Sequence, residues 1–246
     1  MPELSPQHTV GEWVADQPRR AMALEKLGID YCCGGRRSLE EACLSLNLSP
    51  VEVAALLARP GGGEQAPETD WRRSSLTARC DHIERTHHAL LHEQLPRLDA
   101  LAQKVAAAHG ERHPAYLTLG QDFPSFRADM EAHMMKEERV LFPAIRALEG
   151  APGAGSSCCS GGDLTAPLLQ MEAEHDAAGE DLRHFSELTG GYQAPADACG
   201  SMLALLDGLA ALEADLHLHI HKENNLLFPR TRAMLSPERA TFGPRN

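Results

Sequence analysis

Hydrophobic residues recur every three or four positions in four long stretches of this chain. The stretches cover roughly residues 76–108, 119–148, 164–188 and 199–234. This spacing places the apolar side chains on one face of a helix, and segments rich in Gly and Pro separate the stretches. The pattern predicts four long helices that bury their apolar faces together, which is the arrangement of a four-helix bundle.

Polar residues interrupt three of these apolar stripes at positions that should face the core. His133 and Glu137 replace apolar residues on the second helix, His175 on the third, and His219 and Glu223 on the fourth. A buried imidazole or carboxylate destabilises the fold unless a partner satisfies it. We therefore expect these side chains to share either a metal ion or a network of buried ion pairs.

The first helix offers two candidates for the equivalent position. The stripe from Leu91 to Ala102 selects His88, whereas the stripe from Leu76 to Ile83 selects its neighbour, His87. A bend at Pro96 could shift the phase between the two stripes. Spacing favours His88, because it precedes His133 by about as many residues as His175 precedes His219.

An internal repeat underlies this spacing. HMMKEERVLFP (133–143) and HIHKENNLLFP (219–229) share their His, Lys, Glu, Leu, Phe and Pro in register, and an aspartate, Asp129 or Asp215, lies four residues before each. The repeated unit is a pair of helices, the first with one His and the second with His-x3-Glu. Two such pairs predict a site with approximate twofold symmetry.

The ligand set indicates a pair of iron ions. His and Glu four residues apart on a helix can reach the same ion, and this donor set suits non-haem iron with open positions. We predict four terminal His ligands, bridging carboxylates from Glu137 and Glu223, and an oxo or hydroxo bridge. Of about six positions per iron, about one then stays open for NO or O2. Manganese is the second choice, while structural zinc prefers Cys and four ligands.

Carboxylates next to the predicted ligands should orient the imidazole rings. A ligating His usually donates its second N–H to a carboxylate or carbonyl, and we assign this role to Asp129, Glu174 and Asp215. The helical phase of the other polar residues near these ligands points away from the bundle core, so we expect them to face solvent. They are His82, His87, His92, His217, His221, Glu138 and Asp176.

The N-terminal part of the chain predicts a separate small helical domain. Thr9 with Glu12, and Ser38 with Glu41, have the spacing of capping boxes, and Ser49-Pro50 fits the start of a helix. We place this domain at residues 1–58, a linker at 59–70 and the bundle at 71–246. A Gly-rich turn carries the adjacent Cys32 and Cys33, for which redox chemistry, iron transfer and a structural role all remain open. A second pair, Cys158-Cys159, falls in a loop.

Composition and charge exclude several partners. The formal net charge is −12, and no run of Lys and Arg could grip phosphates, so we expect neither nucleic acid nor an anionic membrane surface as a partner. There is no apolar run long enough to span a membrane and no secretory signal. We expect a cytoplasmic protein with reduced cysteines.

With the adjacent cysteines and the repeated His-x3-Glu segments, the chain resembles the RIC proteins (repair of iron centres), a di-iron family linked to nitrosative and oxidative damage of iron–sulfur clusters. DYCCGG (30–35) resembles the family's N-terminal cysteine domain. HHALLHEQLP, HMMKEERVLFP, MEAEHDAAGE and HIHKENNLLFP resemble its hemerythrin-like ligand segments. The resemblance implies the same six ligands, a homodimer and damaged iron–sulfur proteins as clients. The loop GSSCCSGG looks like an insertion relative to the family pattern.

Three functions fit these expectations. The leading hypothesis is a repair protein that supplies iron to damaged iron–sulfur clusters, because only two His per iron should hold the metal less firmly than the larger His set of hemerythrin. The second is an enzyme that reduces nitric oxide at the di-iron centre. The third is a module that binds NO or O2 reversibly.

Overall fold

The computed structural model describes residues 4–59, 71, 73–150 and 164–235. In these ranges every regular element is a helix and no strand forms, which confirms the prediction of an all-α fold. Residues 60–70 of the predicted linker and the Cys158-Cys159 pair lie outside the described residues. None of the helices in the described part is long and apolar enough to cross a membrane.

Four short helices precede four long helical segments. The short helices are α1 (Val10–Asp16), α2 (Arg20–Lys26), α3 (Leu39–Ser45) and α4 (Pro50–Leu57). The long segments consist of α5 (Leu76–Ile83), π1 (Glu84–His88) and α6 (Ala89–His109); α7 (Pro114–Lys136), π2 (Glu137–Leu141) and α8 (Phe142–Gly150); α9 (Thr165–Leu188); and α10 (Gly200–His221), π3 (Lys222–Leu227) and α11 (Phe228–Leu235).

The described residues form two compact units. The first combines the chain up to Arg79 with the residues from His217 onward, and the second runs from Cys80 to Leu216. The boundaries between the units fall inside α5 and α10, so neither coincides with the linker that we predicted at residues 59–70. The domain limits 1–58 and 71–246 therefore stay a prediction.

In the second unit, α6, α7, α9 and α10 pack their apolar faces into a single core. The predicted stripes supply it: Leu91 to Ala102 from α6, Phe123 to Met130 from α7, Ala178 to Phe185 from α9 and Leu205 to Leu216 from α10. Edge and tilted contacts among Phe123, Phe126 and Phe185 strengthen the packing. This packing confirms the predicted four-helix bundle.

In the first unit, the short helices enclose a core of their own. Both predicted capping boxes form, at Thr9 with Glu12 and at Ser38 with Glu41, and Pro50 begins α4. The core around Trp13, Leu24 and Leu39 also takes in Ile220 from the end of α10. The last turn of α10, with Ile220 and the partly buried Leu218, thus belongs to the hydrophobic core of the N-terminal helices.

Three π-helical segments shift the register of the long helices, and the sequence pattern did not predict them. From the last residue of π2 onward, the buried apolar residues are Leu141, Phe142 and Ile145, whereas the spacing of three or four residues continues from Leu141 to Ala144 and Leu148, which are only half-buried. At the end of π3, Leu227 is buried, whereas Leu226, which continues the spacing from Glu223, is only half-buried. A π turn contains an extra residue, so every later side chain moves around the helix axis.

The repeated Pro gives a physical reason for two of these segments. Pro143 and Pro229 each follow a π segment by two residues. Proline has no N–H to donate, and its ring clashes with the carbonyl four residues earlier in an α-helix. The wider π turn relieves that clash, so the LFP of each repeat fixes the local geometry around the preceding Glu.

Candidate metal centre

The six predicted ligands are all buried, and three of them lie in the π-helical segments. His88 ends π1, Glu137 begins π2 and Glu223 lies in π3, while His133 and His175 lie on α7 and α9. Each of the six residues is at most 2% exposed, and Glu137 and Glu223 are 0% exposed. Buried charge of this density requires a counter-charge or a cation.

Within the second unit, three of these side chains converge on one point. The ligand atoms of His133, Glu137 and His175 lie within 4.8 Å of one another. The Nε2 atoms of His133 and His175 are 3.1 Å apart, and Nε2 of His133 is 3.4 Å from Oε2 of Glu137. No described residue donates a hydrogen bond to either oxygen of Glu137, so its carboxylate is available to a cation.

His88 approaches the same carboxylate from π1. Its Nε2 lies 3.3 Å from Oε2 of Glu137, and its ring stacks on Phe142 with an interplanar angle of 14°. The Nδ1–H of His88 donates to Glu138 at 2.9 Å, which directs the lone pair on Nε2 towards Glu137. Glu137 therefore lies between the imidazoles of His88 and His133, as expected for a carboxylate that could contact two ions.

Glu174 orients the imidazole of His133. The Nδ1–H of His133 donates to Glu174 at 2.8 Å, and Lys136 donates to the other carboxylate oxygen at 2.5 Å. The hydrogen bond from His133, helped by those from Lys136 and Gln170 against the opposing effect of burial, lowers the pKa of Glu174 to about 2. The carboxylate stays ionised at neutral pH and keeps the lone pair of His133 on Nε2.

The distances in this cluster fit a bound metal. Two imidazole nitrogens at about 2.1 Å from one ion, at right angles as in octahedral coordination, lie about 3.0 Å apart. The observed separation between His133 and His175 is 3.1 Å. Two imidazoles alone would hold a single shared proton in this position, and a cation satisfies both lone pairs.

The first unit contains the other half of the repeat. Nε2 of His219 lies 3.1 Å from Oε1 of Glu223, one helical turn further along the chain, and both side chains are 0% exposed. The pairing repeats that of His133 with Glu137, which also join a His to the Glu four residues later. Each unit therefore contains a His-x3-Glu pair with the donor atoms turned towards each other.

The structure places several sequence-predicted residues differently. Asp129 is exposed, and the carboxylate on His133 is Glu174 rather than Asp129. Asp215 accepts the Nδ1–H of His87 at 2.9 Å. Glu138, expected at the surface, holds His88.

His87 and His221 are buried, although we expected both to face solvent. The phase argument failed for His87 because π1 lies between the two stripes. Each stripe is correct on its own side of π1, so both neighbours, His87 and His88, point inwards.

The Nδ1–H of His221 donates to the carbonyl of Tyr31 at 3.2 Å, and burial lowers the pKa of His221 to about 4. Its neutral ring belongs to the packing of the N-terminal helices. Of the other residues expected to face solvent, Asp176 and His92 are exposed and His82 and His217 are half-buried.

The adjacent cysteines occupy a turn that is fixed from two sides. The carboxylate of Asp30 accepts the N–H groups of Cys32, Cys33 and Gly34 at 2.8 to 3.0 Å. The side-chain amide of Asn225 donates to the carbonyls of Tyr31 and Cys32 at 3.2 and 2.9 Å. Cys32 is buried and Cys33 half-buried, and both are free thiols.

Comparison with known proteins gives concordant matches. Residues 81–231 match the hemerythrin HHE cation-binding domain, and residues 6–60 match ScdA_N, a domain of unknown function. The chain is similar to the iron–sulfur cluster repair protein YtfE of Enterobacter sp. strain 638, with 37% identity over 91% of this chain and 96% of the relative. The YtfE proteins of Musicola paradisiaca and Escherichia coli O157:H7 are each 36% identical over the same shares.

Proposed function

The chain belongs to the family of the iron–sulfur cluster repair protein YtfE, and from this membership we propose that it is a di-iron protein that repairs iron–sulfur clusters damaged by nitrosative and oxidative stress. The single observation that carries the proposal is the buried cluster of His133, Glu137 and His175 in a hemerythrin-type domain. Its donor atoms are those of a cation site, and its helices match a cation-binding domain.

We assign two iron ions to six residues: His88, His133, His175 and His219 as terminal ligands, and Glu137 and Glu223 as bridges. The burial of all six side chains supports the assignment. So does the repeat, because Glu223 occupies in its half the position that Glu137 occupies between two imidazoles. Iron supplies a redox-active Lewis acid with open positions to such a site. The protein's own part is to hold the ring tautomers through Glu138 and Glu174 and to exclude water.

In repair, iron is the cargo, and the ligand set suits its release. Two imidazoles per ion form a smaller His set than that of hemerythrin, so the ions are held less firmly. The five cysteines that the structure describes are free thiols, as expected for a protein in the reducing cytoplasm. We therefore place the protein in the cytoplasm, with damaged iron–sulfur proteins as its clients.

Iron transfer to a damaged client tests this proposal directly. An iron–sulfur hydro-lyase inactivated by nitric oxide is incubated anaerobically with sulfide donor, reductant and either the iron-loaded protein or the same amount of free ferrous iron. We expect faster recovery of activity with the loaded protein and no such gain with the Glu223→Leu variant. Equal recovery with free iron contradicts the proposal.

Reduction of nitric oxide is a second candidate, favoured by the ligand count. Six protein ligands, two of them bridging, together with an oxo or hydroxo bridge would leave about one position open on each of two ions of about six positions, where two NO molecules could lie side by side. Gas analysis under anaerobic turnover with a reductant should detect nitrous oxide. NO or O2 binding without turnover is the remaining alternative, and stoichiometric NO uptake without nitrous oxide would select it.

We also retain the homodimer implied by the family. Three large apolar side chains on the N-terminal helices support it, because each is more than half exposed: Met22 at 62%, Leu44 at 61% and Val51 at 73%. Sedimentation velocity of the wild type and a Met22→Glu, Val51→Glu double variant checks this. A dimer should become monomeric, and a wild-type monomer refutes the idea.

A further inference from the structure

We propose that Asp30, Cys32 and Cys33 form a second metal site, which binds one thiophilic divalent cation such as zinc or ferrous iron. It involves none of the His and Glu ligands described above. The proposal does not depend on the function assigned to those residues, because it stands on the geometry of the DYCCGG turn alone.

The distances between the donor atoms are within about 0.4 Å of those around a single ion. The sulfur atoms of Cys32 and Cys33 are 4.0 Å apart, and Sγ of Cys32 is 3.2 Å from Oδ1 of Asp30. All three residues offer a donor atom within 4.8 Å of the others. In a tetrahedral zinc site with bonds of about 2.3 Å to sulfur and about 2.0–2.2 Å to oxygen, the sulfur–sulfur distance is about 3.8 Å and the sulfur–oxygen distance about 3.6 Å.

The turn is rigid before any cation arrives. Asp30 accepts three backbone N–H groups, and the amide of Asn225 donates to the carbonyls of the two consecutive residues Tyr31 and Cys32. Gly35 leaves no room for a side chain, because an added Cβ would collide with the backbone carbonyl of Tyr31. A preorganised site loses little conformational entropy on binding, which favours affinity.

The hydrogen bonds of the turn explain Asp30 but not the two cysteines. Asp30 accepts backbone N–H groups of residues 32 and 33, which any residue type except proline can donate. The thiols add donor atoms on the side of the turn where the carboxylate lies. Since Cys33 is half-buried and Asp30 exposed, a cation can reach the site from solvent, and a further ligand can complete its coordination.

Proton release should accompany binding. The neighbouring thiol of Cys33, together with burial and the Asp30 carboxylate, raises the pKa of Cys32 well above its usual range. The thiol is therefore protonated without a cation, and a bound cation displaces its proton because only the thiolate is a good ligand. The hydrogen bond that the Cys32 thiol donates to the Asp30 carboxylate is then replaced by bonds from the thiolate and the carboxylate to the ion.

Cobalt(II) titration of the reduced, full-length protein under anaerobic conditions tests the site. Thiolate-to-cobalt charge-transfer absorption in the near ultraviolet arises only from Cys ligands, so cobalt bound by His and Glu does not contribute to it. We expect this absorption to saturate at one thiolate-bound cobalt per chain and to disappear on addition of zinc. Wild-type protein without thiolate absorption would overturn the proposal.

The chain offers a matched control in its second pair of adjacent cysteines. The Cys32→Ser, Cys33→Ser double variant should lose the absorption, and the Cys158→Ser, Cys159→Ser double variant should keep it. Asp30→Asn and the single change Cys33→Ser should each weaken cobalt binding at least tenfold, with far-ultraviolet circular dichroism unchanged. Absorption that survives in the Cys32, Cys33 variant, or that both double variants lose, refutes a site built from these three residues.

Discussion

His133 and Glu174 lie on different helices, yet the Nδ1–H of His133 donates to the Glu174 carboxylate at 2.8 Å. The same ring presents Nε2 to Glu137 and His175. Glu174 thus fixes which nitrogen of His133 can bind a cation. A partner of this kind raises the basicity of the ligand as well as setting its orientation.

The first prediction concerns the loss of this charge. Glu174→Gln keeps the shape of the side chain but removes its negative charge, so we expect metal affinity to fall about 10- to 100-fold. Competition with a chelator of known affinity measures the change. Asp176→Asn is the control, since Asp176 is an exposed carboxylate two residues away on the same helix. Equal affinity in wild type and Glu174→Gln would show that Glu174 does not support the site.

The second prediction is a pH dependence of the metal-free protein. The pKa of Glu174 falls from 4.5 to about 2 on folding, so its contribution to stability is fully present above pH 4.5 and is lost as the pH falls towards 2. We expect the stability difference between wild type and Glu174→Gln, measured by urea unfolding, to shrink over this interval. A difference that is constant between pH 6 and pH 3 contradicts the role of the ionised carboxylate.

The third helix was predictable from sequence almost residue by residue, and the other three were not. α9 has no π segment, and all its predicted core positions, from Leu168 to Phe185 with His175 between them, are buried. On the other long helices the register changes at a π segment, and a pattern read with one constant helical period does not predict the added residue. The burial of His87, and the burial of Ile145 rather than Ala144, both follow from that change.

The carboxylates around the predicted ligands were less predictable than the ligands themselves. Asp129 lies one turn before His133 in sequence, and the repeat favoured it, but the actual partner, Glu174, comes from another helix. Glu138 accepts a hydrogen bond from His88, although the two residues are 50 positions apart in the sequence. Such contacts depend on how two helices are rotated against each other, which the spacing within one helix does not determine.

The third prediction tests the bridging role of a carboxylate. Glu137→Leu should lower the iron content to at most half, because both assigned ions lose a shared ligand, while the helical content persists since leucine suits a fully buried position. Elemental analysis and far-ultraviolet circular dichroism measure the two properties. Glu131→Leu, on the same helical segment and half-exposed, is the control and should retain its iron. A fully loaded Glu137→Leu variant excludes Glu137 as a bridge.

The fourth prediction concerns the turn that carries Cys32 and Cys33, and it compares two Gly→Ala changes. At Gly35 a new Cβ would collide with the carbonyl of Tyr31 and lie 2.6 Å from the amide of Asn225. The amide can move, but the carbonyl is backbone, so we expect a loss of about 1–3 kcal/mol from the free energy of unfolding. At Gly179, inside α9, nothing lies within 4 Å of the new Cβ, and alanine should stabilise the helix by about 0.5–1 kcal/mol. Urea unfolding should therefore show a lower free energy of unfolding for Gly35→Ala and a higher one for Gly179→Ala than for the wild type. A Gly35→Ala variant as stable as the wild type would mean that Asn225 and Tyr31 do not hold the turn in this conformation.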